Sequence, residues 1–186
     1  GYQALKDCTA SYNTAVGFQA LDDCTSGTTN VAVGDGVLSA VTTASSNTGM
    51  GHFALNANTA SNNSAFGRNC LRANGAGHDN TGVGATSLTT NSTGVHNTAT
   101  GSSSMHSNTT GGYNVAIGSS TLDANTSGSR NTALGYDSLG ANTTASDNTA
   151  IGYQALKNNV TGGSNVAIGS NALLTLGTSG TFGQLN

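Results

Sequence analysis

Tryptophan, proline and glutamate are missing from this 186-residue chain, and charged residues make up only 7% of it. The formal net charge is −3. So sparse a charge gives no basis for binding nucleic acid or an anionic membrane. No stretch is apolar for long enough to span a bilayer, so this segment is not expected to insert into one. No leader is recognisable, but Gly1 falls inside a repeat. The sequence therefore reads as a piece of a longer polypeptide, and the missing leader carries no weight. Three cysteines, Cys8, Cys24 and Cys70, are too few for a disulfide scaffold. Glycine numbers 27, and Asn, Thr, Ser and Ala fill most of the rest. Composition alone would suit a disordered chain. Order has to come from where the apolar residues sit.

They sit in register. Asn-x-(Ala/Gly)-x-Gly begins at Asn13, Asn30, Asn47, Asn63, Asn80, Asn97, Asn114, Asn131, Asn148 and Asn165. The spacing is 17 residues, with one interval of 16 between Asn47 and Asn63. Counting from that Asn as position one, position three is Ala or Gly, as in Ala116, Ala150 and Ala167. Position four is apolar in nine of ten repeats, as in Ile117, Ile151 and Ile168. Position five is always Gly, as in Gly118, Gly152 and Gly169. Position nine is Leu, as in Leu122, Leu156 and Leu173, with Met105 the one exception. Gly1 to Leu5 belongs to a further repeat. The register ends at Leu173, which divides the chain into a repeat array over 1–173 and a cap or junction over 174–186.

A period of 17 is too short for a helix-turn-helix repeat and suits one coil of an all-β parallel solenoid, about eleven coils in this chain. A strand is expected at positions two to four, rich in Thr, Val and Ile. The glycine then ends it, at a positive-φ turn or where two backbones meet closely. A second extended stretch is expected at positions seven to nine, and Gly, Ser, Asn and Thr make the remaining corner. At about 4.8 Å per coil the rod should be roughly 50 Å long. The repeat-opening asparagines should form a hydrogen-bonded ladder and the position-nine leucines an apolar spine. Positions two and four share one strand face, and positions three and five the other. Small residues at position three imply a tightly packed interior. Apolar residues at position four imply that the other face is buried too, which calls for a second layer outside the coil. The simplest supplier is another copy of the chain. The coil Asn97–Tyr113, with Thr100 at position four and Met105 at position nine, should be the weakest.

Asn114-Val-Ala-Ile-Gly118, Asn148-Thr-Ala-Ile-Gly152 and Asn165-Val-Ala-Ile-Gly169 resemble the head repeats of YadA-like trimeric autotransporter adhesins. The longer phrase Asn148-Thr-Ala-Ile-Gly-Tyr-Gln-Ala-Leu156 is similar to repeats in phage tail-fibre proteins. The resemblance runs from Gly1 to about Leu173. It implies a left-handed β-roll assembled as a homotrimer, on a cell or virion surface. Its implied role is a rigid extracellular spacer with a host-surface glycan or protein as candidate receptor. The 17-residue period is longer than the usual adhesin repeat, so one corner carries extra residues.

Little catalytic chemistry is written in the sequence. The eight acidic residues are all Asp, scattered apart from the Asp22-Asp23 pair. His52, His78, His96 and His106 lack metal-ligand spacing. Asp79 and His96 end neighbouring coils and should stack as a surface pair. No paired carboxylates, nucleophile elbow or phosphate loop is present, so the chain reads as a non-enzyme with no cofactor. Asn62, Asn91, Asn108, Asn125, Asn142 and Asn159 open Asn-x-(Ser/Thr) triplets, which so Asn- and Thr-rich a chain produces by chance. Cys8 and Cys24 share position twelve of adjacent coils and should face each other, as a disulfide or as two free thiols. An alternative function, a monomeric ice-binding solenoid, rests on the column Thr14, Thr48, Thr81, Thr98, Thr132 and Thr149.

Overall fold

The computed structural model describes residues 1–174; the cap or junction expected after Leu173 lies almost wholly outside them. The architecture is a parallel β-solenoid with one short strand per coil. The strands are β1 (Thr14–Val16), β2 (Val31–Val33), β3 (Thr48–Met50), β4 (Ser64–Phe66) and β5 (Thr81–Val83), followed by β6 (Thr98–Thr100), β7 (Val115–Ile117), β8 (Thr132–Leu134), β9 (Thr149–Ile151) and β10 (Val166–Ile168). They form one parallel sheet in chain order. The pairing keeps repeat positions aligned: Ala116 lies opposite Ala133, and Ile117 opposite Leu134. Nine spacings of about 4.8 Å make the ten-stranded sheet roughly 43 Å long.

The one-residue deletions fall in a single corner. Asn58 is followed by four residues before Asn63, whereas Asn74 is followed by five before Asn80. The partial first coil has the same short corner, Thr9 to Tyr12 after Cys8. Bonds continue across it regardless, as in Thr59 N–H to the Gly75 carbonyl at 3.1 Å. A solvated corner absorbs a length change that a strand in register could not.

Positions seven to nine are not a second strand. Positions seven and nine take left-handed backbone angles in every coil, for example Ser120 at φ 55° and Leu122 at φ 52°. Their N–H groups point opposite ways along the rod: Ser120 donates to the Ser102 carbonyl of the preceding coil, and Leu122 to the Ser138 carbonyl of the following one, both at 3.0 Å. The left-handed angles let a tight corner keep inter-coil bonding without a strand. A left-handed leucine costs about 1–2 kcal/mol. Burying its side chain returns about 1.5–3 kcal/mol, and Leu21 through Leu156 at this position are completely buried. Burial offsets the strain, which is why a large apolar residue occupies a conformation usually left to glycine.

Position five combines both reasons for glycine. Gly84 has φ +129°, and a Cβ there would lie 2.5 Å from the Gly101 carbonyl oxygen of the next coil. No side chain fits.

The core is the narrow space between the strand and the turn opposite. Ala32, Ala65, Ala99, Ala116, Ala133 and Ala150 line it from position three, packed on the buried leucines. Position four points away from it. Both strand faces were expected to be covered, but a single chain buries only the position-three face. Thr100 therefore removes nothing from the coil interior, and Met105 is fully buried.

Candidate functional surface

The outward face of the sheet is the distinctive surface. Positions two and four alternate with the buried position three, so their side chains leave the coil on one side. Val16, Met50, Phe66, Val83, Ile117, Leu134 and Ile168 are all exposed in the single chain. Ile117 keeps 41% of its surface and Leu134 42%. Val33 and Ile151 are half-buried. Parallel register stacks them into an apolar stripe along the rod. Position two adds Thr14, Thr48, Thr81, Thr98, Thr132 and Thr149 beside it, interrupted by Val31, Ser64, Val115 and Val166. At about 3.3 Å per residue the three-residue strands make a face roughly 10 Å wide. The face as a whole covers on the order of 400 Å², part of it the threonine column, a size comparable with the largest patch of an ordinary monomer.

Rigidity of that face comes from two asparagine ladders, of which sequence reading found one. At the first, the opening Asn is buried from Asn30 onward, and its Oδ1 accepts the backbone N–H of the next, as from Asn131 to Asn114 at 2.9 Å. In most repeats its Nδ2 also donates to the position-fifteen carbonyl of its own repeat, as Asn114 to Gly128 at 2.9 Å. The second ladder is at position twelve. Asn74, Asn91, Asn108, Asn125 and Asn142 each donate Nδ2 to the Oδ1 of the Asn one coil earlier, starting from Asn58, at 2.6–2.9 Å. Asn91, Asn108, Asn125 and Asn142 open Asn-x-(Ser/Thr) triplets, so four of the six triplets mark a buried structural column and not a compositional accident; Asn159 is buried at the same position beyond the ladder, and Asn62 is exposed. The ladder stops at Asn142, whose Oδ1 is buried without a partner, while Asn159 bonds only within its own corner, to Gly162.

The same column begins with Cys8, Cys24 and Val41 in place of Asn. Cys8 and Cys24 face each other with sulfurs 3.0 Å apart, as free thiols. Burial and the neighbouring Cys8 thiol push the Cys24 thiol up to about 12. Cys70 is buried at position eight, away from both, and burial likewise pushes it up to about 12.

The remaining charged residues are on the exterior. Arg130 and Asp147, at position seventeen of adjacent coils, pair at 2.6 Å. Lys157 pairs with Asp137 at 2.7 Å. Burial raises the carboxyl of Asp123, one of whose oxygens lacks a partner. Among the described residues no helix is long and apolar enough to cross a membrane. Comparison with family models, curated proteins and solved structures returned no match.

Proposed function

We propose that the chain is a structural and adhesive segment of a trimeric extracellular fibre, a rigid spacer on a bacterial or virion surface that also offers a face to a host glycan or protein. The observation that carries the reading is the apolar stripe at position four. An apolar side chain on the solvent side of nine strands in ten has no use within one coil. Burying each one against a neighbouring chain would add about 1–2 kcal/mol. Three copies around an axis cover three such faces at once, and the repeat resembles those of fibres built that way.

The test is Ile151→Asp. Ile151 leaves the coil on the outward side of β9, so the substitution should not disturb the Leu156 spine. Packed against two other copies, three carboxylates would crowd at one level without partners. The expected outcome is loss of assembly in sedimentation with an unchanged circular dichroism spectrum. An assembly that survives the substitution would contradict the proposed interface.

The ice-binding alternative is favoured by one observation, the flat outward column of threonines at position two. It needs that column exposed on a monomer and regular along the rod. Val31, Ser64, Val115 and Val166 interrupt it, and Met50 and Phe66 project beside it. Thermal hysteresis in a solution of the chain would favour this alternative over the fibre.

A further inference from the structure

We propose that His78, Asp79 and His96 form a binding site for a late first-row divalent cation such as Zn²⁺ at the coil corner just before β5 and β6. A linear spacing rule finds no metal motif here because His78 and His96 are 18 residues apart. The solenoid period of 17 brings them together, placing His96 one coil above Asp79. One ligand atom from each of the three lies within 4.8 Å of the others. His78 Nδ1 is 2.7 Å from Asp79 Oδ2, and His96 Nδ1 is 3.9 Å from the same oxygen. Donors around a tetrahedral ion with bonds of about 2.0–2.1 Å sit roughly 3.3–3.5 Å apart. The ion thus requires only small side-chain rotations, which half-exposed rings permit.

The backbone beneath is fixed. Asp79 and His96 hold left-handed angles of 57° and 55°, and His96 N–H donates to the His78 carbonyl at 3.2 Å. Tyr113 stacks on the His96 ring at 4.9 Å between centroids and limits its swing. Two imidazoles and one carboxylate suit zinc, cobalt, nickel or copper and not the oxygen-seeking calcium or magnesium. Three protein donors leave a coordination position open to water or to a group on another molecule. By bridging two coils the ion would also tie the corner together.

His52 provides an internal control. It lies 3.3 Å from Asp35 one coil earlier, in a two-donor pair that should hold no ion. The experiment is calorimetric titration of the wild-type chain with Zn²⁺, together with the visible spectrum of the Co²⁺ form and the melting temperature with and without zinc. One ion per chain, a tetrahedral cobalt band and a raised melting temperature are expected. His96→Ala and Asp79→Asn should each weaken zinc by about tenfold or more, since losing even an outer-shell partner does as much. His52→Ala should change nothing. No saturable uptake by the wild type would overturn the site, as would uptake by His78→Ala/His96→Ala equal to that of the wild type.

Discussion

An asparagine amide carries one acceptor oxygen and two N–H donors, and the coil interior uses them to link each coil to the next. Asp has no donor to give, and Leu has neither. Asn108 shows what one side chain holds: its Nδ2 reaches Asn91 Oδ1 at 2.7 Å and the Gly111 carbonyl at 3.0 Å, while its Oδ1 accepts from Asn125 at 2.8 Å. Asn108→Ala leaves Asn91 Oδ1 buried without a donor. The expected loss in urea denaturation is about 2–4 kcal/mol. Asn159→Ala breaks only bonds within its own corner and should cost clearly less. Cys70 makes a different residue-scale prediction. Its folded thiol is raised from 9.0 to about 12 by burial, so the native chain keeps the proton longer than the unfolded chain does. Its contribution is fully present below the unfolded thiol's value and is lost as pH rises from about 9 to about 12, by up to about 4 kcal/mol. Denaturation across that range should show a steeper alkaline decline for wild type than for Cys70→Ala.

At the scale of the coil, small and large residues compensate between neighbours. Position eight of one coil packs against position three of the next. Where position three is Gly, position eight of the preceding coil is larger than usual: a Cβ on Gly49 would lie 2.5 Å from Val37 Cγ1, and one on Gly82 would lie 2.5 Å from Cys70 Sγ. Elsewhere Ala faces Ala, Ser or Thr. Gly82→Ala alone should therefore overpack and cost about 1–3 kcal/mol. Adding Cys70→Ala should recover part of that loss, and a double-mutant cycle measures the coupling; independent effects would refute the contact. The strand, the glycine stop, the leucine spine and the opening Asn ladder were legible in the sequence because each repeats at one position. The Val37–Gly49 and Cys70–Gly82 pairs were not, since they show only once position eight is known to touch position three of the next coil. The left-handed turn at positions seven to nine was hidden because Leu and Ser carry no mark of positive φ. The position-twelve ladder was hidden by its Cys8, Cys24 and Val41 members and by its likeness to chance triplets. Asp79 and His96 were legible as a stacked pair, but His78 was not joined to them, because a linear rule for metal-ligand spacing does not count the 17-residue period.

For the whole molecule, the inside of the coil accounts for the fold, and the outside raises the question of partners. Alanines, leucines and two asparagine ladders close a narrow interior that one chain completes by itself. The position-four stripe takes no part in that interior. Ile117, Leu134 and Ile168 remain exposed in the single chain, and the proposed fibre of three copies would cover them. A single chain with ten short strands in one sheet also leaves one side of that sheet to solvent, where apolar residues are an aggregation hazard unless paired. The most direct test of this account is the mass of the wild-type chain in solution by sedimentation equilibrium. One chain is 18.2 kDa, so three chains should give 3 × 18.2, about 55 kDa. A species of 18.2 kDa at micromolar concentration would contradict the trimer and leave the exposed stripe to another occupant.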